Sequence, residues 1–353
     1  MRTSELVSRA SSVDPDLASM MDGVFSDHRK GSDPAAAGAR VEYDRALWQR
    51  LDSLGLIRLT GAEDTGGSGA SWLEAAELLT AAGRHGVRAP LAEHDLLACW
   101  LLEATDQPLD DAVRTVCVQP RDGAATAAVP WAGEADRIVV LTPTNGGYRL
   151  TELDRDDVSI DPGTNLIGEP RDSVLLGDAA LSGPAVPIQL VDQLSRKSAM
   201  VRAIQVCAAL DGAVTTAIDH VSSRVQFGRP LARFQAIQNL LSDAAAEAAL
   251  ARAATNAALH TAIESDWQST HLDFQIATAR SCAGHAASVV VRNAHQVHGA
   301  IGTTHEHRLH EFTRAALAWR SEFGSVRFWD AQVAAAAFGA GGQGLWGLIT
   351  AAS

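Results

Sequence analysis

Two segments in the carboxyl half of the chain combine an arginine, side-chain amides and glycines at short spacing. The first reads RVQFGRP at positions 224–230, with FQAIQ at 234–238, and the second reads QVHGAIG at 296–302. A guanidinium group forms two parallel hydrogen bonds to phosphate oxygens, so Arg224 suits a phosphate or a pyrophosphate. The two segments are therefore candidates for binding a phosphorylated ligand.

The amides and glycines of these segments suit the same ligand. Gln226, Gln235 and Gln296 can donate hydrogen bonds to phosphate oxygens or meet the edge of an adenine ring. Gly299 and Gly302 permit a ligand to approach the backbone closely. Taken one at a time, the arginine could instead pair with a carboxylate, and the glutamines could be ordinary surface amides. The occurrence of both segments in one chain favours the ligand.

Five histidines lie in or near the second segment: His295, His298, His305, His307 and His310. Imidazole is a good zinc ligand, but no cysteine is close, and the spacing of His307 and His310 only approaches a helical ligand pair. We therefore predict polar packing around bound phosphates and no metal site. The chain has no Gly-x-Ser-x-Gly elbow, and no GxGxxG or Walker motif follows a predicted strand.

Composition argues against several classes of function. The formal charge is −13, with 29 basic and 42 acidic residues, whereas nucleic acids and anionic membranes attract basic surfaces. No uninterrupted apolar run of about 18 residues predicts a membrane span, and the amino end does not resemble a signal peptide. The four cysteines are scattered, so we expect buried thiols in a reducing cytoplasm: Cys99, Cys117, Cys207 and Cys282.

Helices are predicted for most of the chain before residue 113. Apolar residues recur at three- and four-residue spacing between 41 and 59, and the glycine-rich residues 63–69 predict a loop. Ser71 is placed to cap the next helix, with Glu74 at the spacing of a capping box. Residues 71–105 are predicted to form two helices.

Short strands and then long helices follow. The predicted strands cover residues 113–118, 137–141, 148–153 and 173–176, with a hairpin turn at 145–147. The predicted helices cover residues of about 190–222, 232–264, 268–298 and 306–337, before a glycine-rich tail expected to be loose or capped by a partner. Four long helices in succession indicate a bundle.

This order of elements resembles the acyl-CoA dehydrogenases. The segments LWQRLDSLGL at 47–56 and EDTGGSG at 63–69 look like the amino-terminal signature of that family. The resemblance implies an α+β fold with an amino-terminal helical domain (1–112), a reduced middle β domain (113–187) and a carboxyl-terminal four-helix bundle (188–353) that serves FAD binding and oligomerisation.

The resemblance also implies FAD as the cofactor, with its ADP half held by the two segments across a subunit interface. On this interpretation Arg224 and Gln296 address the pyrophosphate, while Phe227 and Gln235 flank the adenine. The residues assigned to the cofactor are Arg224, Gln226, Phe227, Gln235, Gln296, Gly299 and Ala300.

The chain departs from the family at the catalytic base. Active members use a glutamate to remove the α-proton of the acyl-CoA while flavin N5 accepts a hydride from the β-carbon. The two positions where members carry this base correspond to Phe323 and Ser198. Glu322 is the catalytic candidate if the loop shifts by one residue. The middle domain looks shortened, and Trp131 is either a residual flavin neighbour or a core or lid residue.

These departures imply the shorter, non-catalytic subunit of a heterotetramer, as in bacterial acyl-CoA dehydrogenases for steroid side chains. A second, unlike subunit would then house the flavin ring and the base. The complex would oxidise an acyl-CoA of unassigned acyl group to the trans-2-enoyl-CoA and reduce an electron-transfer flavoprotein. The alternatives are a self-sufficient homotetramer with Glu322 as base, and a flavin-free scaffold or interaction protein.

Overall fold

The amino-terminal part of the chain is helical, as its apolar spacing predicts. The computed structural model of the protein describes residues 12–31, 39–120, 124, 126–177 and 182–350. The helices of this part are α1 (Pro15–Gly31), α2 (Arg45–Ser53), α3 (Trp72–His85), a π-helix (Ala92–Cys99) and α4 (Trp100–Glu103). The predicted division of residues 71–105 is confirmed. The π-helical turn, whose eight residues are all buried, was not predicted.

The start of α3 is fixed by the predicted capping box. Ser71 Oγ accepts the backbone N–H of Leu73 at 3.0 Å, and Glu74 Oε2 accepts the backbone N–H of Ser71 at 2.9 Å. Two N–H groups that have no partner within the helix are thereby satisfied. Gly86 ends α3 in the left-handed region, where glycine is favoured (φ 71°).

Replacing Ser71 with alanine should lower the free energy of unfolding by about 1 kcal/mol, because it leaves the first turn of α3 without its side-chain acceptor. Urea denaturation of the variant would measure the change. Ser242→Ala, at an exposed position in the interior of a helix, is the control and should change stability by less than about 0.5 kcal/mol. Equal stability of the two variants would contradict the assigned cap.

The strands form two small sheets that follow α4. They are β1 (Arg114–Val118), β2 (Thr126–Pro130), β3 (Arg137–Thr144), β4 (Gly147–Asp154), β5 (Ser159–Asp161), β6 (Arg171–Leu175) and β7 (Ala185–Val186). The first sheet has the order β1-β3-β4-β7 and the second β2-β6-β5; β1 pairs parallel to β3, and the other pairs are antiparallel. The predicted β3–β4 hairpin is confirmed.

The sequence missed β2, β5 and β7. β2 is alanine-rich and ends in proline, a composition that disfavours strands, and its pairing with β6 is interrupted by a register shift. β5 and β7 contain three and two residues, too few for an alternating pattern to be recognised. These strands depend on partners distant in sequence.

Long helices make up the rest of the described chain. They are α5 (Ile188–Ser223), α6 (Gln235–Glu264), α7 (Leu272–His298), α8 (Leu309–Trp319) and α9 (Val326–Thr350), with a short hairpin of β8 (Val225–Gln226) and β9 (Arg229–Pro230) between α5 and α6. α5 is long and apolar enough to cross a membrane, but 67% of its most apolar stretch is buried inside the protein. This burial is typical of the core helix of a bundle. The first three predicted long helices are confirmed.

The fourth predicted helix, 306–337, is wrong as a single element. The chain leaves the helical conformation after α8, where Phe323 (φ 51°) and Gly324 (φ 117°) have positive backbone angles. The buried side chain of Arg280, on α7, holds this turn, since its Nη2 donates to the carbonyl oxygens of Glu322 at 2.6 Å and Gly324 at 3.3 Å. A residue of another helix therefore stabilises the turn between α8 and α9.

The glycine-rich tail is helical and not loose, whereas its capping by a partner stays a prediction. α9 continues to Thr350, with a kink at Gly341 (φ 64°, ψ 175°). No residue of α9 is buried, and large apolar side chains on it face outward, including Phe338 (86% exposed) and Trp346 (71% exposed). A large exposed apolar surface is typical of a helix that packs against another chain.

The four cysteines are free thiols. Cys99, Cys117 and Cys207 are buried, and Cys282 is half-buried. Burial raises the pKa of the Cys99 thiol to about 12. The prediction of unpaired, mainly buried cysteines is therefore confirmed.

One of the two lysines of the chain lies in a cage of three tryptophan rings. Lys197, on α5, is 3% exposed, and its Nζ lies 4.7, 4.5 and 4.3 Å from the ring centroids of Trp72, Trp100 and Trp267. Burial lowers the pKa of Lys197 to about 7. The indole faces favour the charged ammonium and oppose that effect.

Candidate functional site

A cavity of about 510 Å³ lies between the strands and the bundle. One wall consists of residues 116–118 of β1 and 126–130 of β2. The opposite wall consists of side chains from α5, the turn after α8, and α9: Leu194, Ser195, Ser198, Phe323, Gly324, Phe328 and Trp329. The lining is mainly apolar, which suits an apolar or aromatic ligand.

The structure brings both predicted positions of the catalytic base to this cavity. Ser198 reaches it from α5, and Phe323 reaches it from the turn after α8. The Ser198 hydroxyl donates to the carbonyl oxygen of Leu194 at 2.8 Å, so its proton is engaged within the helix. Among the described lining residues there is no Asp, Glu, His, Lys or Arg. This part of the wall therefore offers no group suited to remove the α-proton of a thioester.

The carboxylate of Glu322, the substitute base that the sequence allowed, is held by three neighbouring side chains. Its Oε1 accepts from Arg171 Nε and Asn165 Nδ2, both at 2.9 Å, and its Oε2 accepts from Arg202 Nε at 2.7 Å. Burial alone would raise the pKa of Glu322, but the positive charges of Arg202 and Arg171 outweigh that effect and lower it to about 2. Such a carboxylate is a weak base, and these contacts count against the catalytic role that the sequence allowed.

Glu322 belongs to a buried ion-pair cluster of six side chains: Arg88, Glu93, Glu169, Arg171, Arg202 and Glu322. Arg202 Nη2 lies 2.8 Å from Glu93 Oε1, and Arg171 Nη2 lies 2.8 Å from Glu169 Oε2. The side chains of these two arginines are 1% and 5% exposed. The cluster joins the π-helix, the start of β6, α5 and the turn after α8. No sequence pattern predicts it, because its members come from distant segments.

Trp131 is a core residue. Its side chain is 2% exposed, and it does not belong to the residues that line the cavity. The backbone N–H of Trp131 donates to the carbonyl oxygen of Pro170 at 3.1 Å, which fixes the segment after β2. Of the three roles that the sequence left open for Trp131, flavin neighbour, core residue or lid residue, the structure favours the core residue.

The two segments assigned to a phosphorylated ligand lie next to each other at one end of the bundle. Arg224 caps the end of α5, and Gln296 lies in the last turn of α7. Near these helix ends, His220 of α5 stacks on His298 of α7 with ring centroids 4.4 Å apart. The fold thus brings together two segments that are separated in sequence by most of α6 and most of α7.

All of the residues assigned to the ADP half of the cofactor are exposed: Arg224, Gln226, Phe227, Gln235, Gln296, Gly299 and Ala300. Phe227 is 88% exposed and has a positive backbone angle (φ 51°), an uncommon conformation for a bulky residue. At Gly299 (φ 64°) nothing lies within 4 Å of the direction a side chain would take. Guanidinium, amides, an aromatic face and open backbone therefore fit a nucleotide that lies outside this chain.

Four of the five histidines near the second segment form two groups, while His295 Nε2 lies 3.2 Å from Thr313 Oγ1. His305 and His310 form one pair, with ring centroids 5.7 Å apart. His298 and His307 lie together with His220, and the possible ligand atoms of these three residues are all within 4.8 Å of one another. His220 was not predicted as a member of this group, because it lies on a different helix from the other histidines.

Comparison with known proteins agrees with these features. Residues 193–336, which include both candidate segments, match the family described as acyl-CoA dehydrogenase, C-terminal domain. The chain is 28% identical over 297 residues to the acyl-CoA dehydrogenase IpdE2 of Mycobacterium tuberculosis, covering 81% of this chain and 86% of that protein. It is 29% identical over 286 residues to the acyl-CoA dehydrogenase FadE34 of the same organism, covering 77% of this chain. The chain spans only 39% of the length of FadE34.

Among solved structures, the ChsE4–ChsE5 complex from Mycobacterium tuberculosis has the same fold. The TM-score is 0.78 at 22% identity, and the match covers 91% of this chain and 95% of the other. The expected α+β fold is thereby confirmed. Residues 193–336 are therefore an acyl-CoA dehydrogenase C-terminal domain, and the chain as a whole has the acyl-CoA dehydrogenase fold.

Proposed function

We propose that the chain is a non-catalytic subunit of an FAD-dependent acyl-CoA dehydrogenase and supplies the ADP half of a flavin site completed by an unlike subunit. The observation that carries the proposal is the cavity between strands and bundle. Its described walls bear Ser198 and Phe323 at the two positions where active relatives carry a base. The nearby Glu322 is held by two arginines with its pKa lowered to about 2.

The exposed segments at the end of the bundle support the second part of the proposal. Arg224 and Gln296 would hold the pyrophosphate, and Phe227 and Gln235 would flank the adenine, each from an exposed position that another subunit can approach. When bound, FAD supplies the ring that accepts a hydride from the acyl-CoA. In the assembled complex we expect acyl-CoA oxidation to trans-2-enoyl-CoA, with an electron-transfer flavoprotein as acceptor.

The outer face of α9 supports an assembled state. It carries exposed apolar side chains and contributes no buried residue to this chain. The similar fold of ChsE4–ChsE5 occurs in a complex. We therefore propose a heterotetramer in which bundles of like and unlike subunits pack together.

The visible spectrum of the purified chain distinguishes the proposal from its alternatives. The proposal expects a colourless, inactive chain alone, and a yellow, active complex when the chain is purified with an acyl-CoA dehydrogenase subunit that binds it. A yellow and active chain by itself would instead establish the self-sufficient homotetramer. A complex that remains colourless would establish the flavin-free scaffold. Activity is measured with a panel of steroid, branched and aromatic acyl-CoAs.

Replacing Arg224 with alanine should reduce the flavin content of the purified complex at least about tenfold, because a charge-assisted, two-pronged contact to phosphate is lost. Flavin absorbance per mole of complex measures the effect. Arg233→Ala, which removes another exposed arginine close by, should retain full flavin content. Equal flavin content in the two variants would contradict the role of Arg224.

A further inference from the structure

Three imidazoles converge where the ends of α5 and α7 meet the segment before α8. The ring centroids of His220 and His298 are 4.4 Å apart, and those of His298 and His307 are 4.5 Å apart. Their possible ligand atoms all lie within 4.8 Å of one another. In a tetrahedral zinc site, Zn–N bonds of about 2.0–2.1 Å place the nitrogens roughly 3.4 Å apart. Small rotations of the histidine side chains would convert the observed cluster into a tetrahedral zinc site.

His298 is already oriented as a ligand. It is 6% exposed, and its Nδ1 lies 2.7 Å from the carbonyl oxygen of Ala294, to which it donates. That contact leaves the lone pair on Nε2, and this buried nitrogen has no hydrogen-bond partner. A ligating histidine commonly donates its second ring N–H to a backbone carbonyl in this way. His298 Nε2 is thus a buried acceptor without a partner beside two further imidazoles, an arrangement that suits a bound cation.

From this geometry we propose that His220, His298 and His307 bind one divalent transition-metal ion of the zinc type. Three nitrogen donors without sulfur suit zinc, cobalt, nickel or copper and do not suit magnesium or calcium, which prefer oxygen. Metal binding at this site does not require bound flavin, so the proposal goes beyond the flavin role proposed above. It also departs from the sequence-based expectation, which lacked the third ligand.

The other two ligands can adjust. The rings of His220 and His298 are stacked with an interplanar angle of 21°, and the half-buried His220 would turn out of this stack. His307 Nδ1 accepts the backbone N–H of Leu309 at 3.2 Å, a contact that it would exchange for the metal. Burial, followed by repulsion between the charged forms, lowers the pKa of His298 to about 4 and also lowers that of His220. Neutral imidazole is the form that binds metal.

A fourth coordination position is open beside the cluster. A cavity of about 400 Å³ adjoins it, and His220 and His307 both line that cavity. The carboxylates of Asp219 and Glu306 are also in the lining. Either a carboxylate or a water molecule can complete a tetrahedral site there, as in zinc sites with three protein ligands.

Bound metal would link three segments of the bundle. His220 lies four residues before Arg224, and His298 lies two residues after Gln296, so the ion would fix the two candidate cofactor segments relative to each other. His307 lies before α8 and adds the third segment. We expect bound metal to raise the thermal unfolding temperature of the chain, because the folded state alone holds the ligands together.

Titration of the full, tag-free chain with Co²⁺ after removal of metals by chelator tests the site. The expected result at pH 7.5 is one equivalent bound, with visible absorption bands typical of tetrahedral cobalt and a raised unfolding temperature, and competition by Zn²⁺. His298→Ala and His220→Ala should each weaken the affinity at least about tenfold. His305→Ala, an exposed histidine outside the cluster, is the matched control and should bind as the unsubstituted chain does.

Three outcomes would overturn the proposal. One is the absence of saturable Co²⁺ binding by the folded chain. The second is unchanged affinity in the His220 variant, whose half-buried position keeps the test valid if the substitution of buried His298 prevents folding. The third, equal weakening by His305→Ala, would assign the metal to a different set of histidines.

Discussion

Replacing Glu322 with alanine should lower the free energy of unfolding by about 3–5 kcal/mol, since removal of one partner leaves buried charges unpaired. The side chains of Arg171 and Arg202 are 5% and 1% exposed and share this carboxylate. Without Glu322, Arg202 keeps only Glu93, and Arg171 keeps only Glu169 as an acidic partner. Urea denaturation of the purified chain measures the loss. Glu306→Ala, at an exposed position nearby in sequence, should change stability by less than about 0.5 kcal/mol.

Glu322→Gln separates this structural role from catalysis. The amide keeps the shape of the side chain but not its charge, so the variant should be destabilised while the turnover per bound flavin in the complex stays within about tenfold. Loss of a catalytic base would cost a factor of about 10²–10⁴. A variant as stable as the unsubstituted chain, with turnover reduced a thousandfold, would restore Glu322 as the base.

The same cluster predicts a defined response to acid. Because the folded chain lowers the pKa of Glu322 from 4.5 to about 2, the carboxylate contributes stability that is fully present above pH 4.5. This contribution is lost as the pH falls through about 2. The difference in unfolding free energy between the unsubstituted chain and Glu322→Gln should therefore narrow as the pH is lowered from 5 to 3. A constant difference would show that the charge of Glu322 is not the cause.

Replacing Lys197 with methionine should remove a pH dependence of stability on the order of 5 kcal/mol between pH 7 and 10.5. The pKa of Lys197 is lowered from 10.5 to about 7 by burial. Between these values the unfolded chain binds the proton and the folded chain does not, so stability rises with pH. Each pKa unit corresponds to about 1.4 kcal/mol. Below pH 7 the cost of burying the ammonium is fully present, and the methionine variant should be the more stable protein.

The measurement is the free energy of unfolding in urea at pH 7 and at pH 9.5. The unsubstituted chain should gain stability relative to Lys197→Met as the pH increases. Lys30→Met provides the control, since the other lysine of the chain is exposed and should leave the pH dependence unchanged. Parallel pH profiles for the unsubstituted chain and Lys197→Met would mean that the three indole rings hold the ammonium charged at its ordinary pKa.

Features set by neighbours in sequence were predicted well. The capping box of Ser71 and Glu74 needs only its own spacing, and the β3–β4 hairpin needs only a glycine turn between two alternating runs. The break after α8 could not be predicted, because it depends on Arg280 of α7 donating to the carbonyls of the turn. The same reason explains why β7, two residues that pair with β4, was missed.

The candidate site shows the same division. The residues of the two candidate cofactor segments were proposed from their types, and the structure adds that they are exposed at one end of the bundle. The environment of Glu322 was not predictable, because its partners Arg171 and Arg202 lie far away in sequence. The grouping of His220 with His298 and His307 was also not predictable, because His220 lies far from the other two in sequence. The sequence shows which side chains are chemically able to bind or react. Tertiary contacts determine their ionisation state and which groups they contact.

The buried charges around Arg202 also determine how far this protein can be divided. Glu93 comes from the amino-terminal helices, Arg171 from the strands, and Arg202 from the long helices. A fragment that contained only the long helices would expose Arg202 and Glu322 to water and lose three of their partners, Glu93, Asn165 and Arg171. The buried ion pairs thus link the three regions, and we expect that the long helices alone could not be produced as a stable fragment without redesign of that junction.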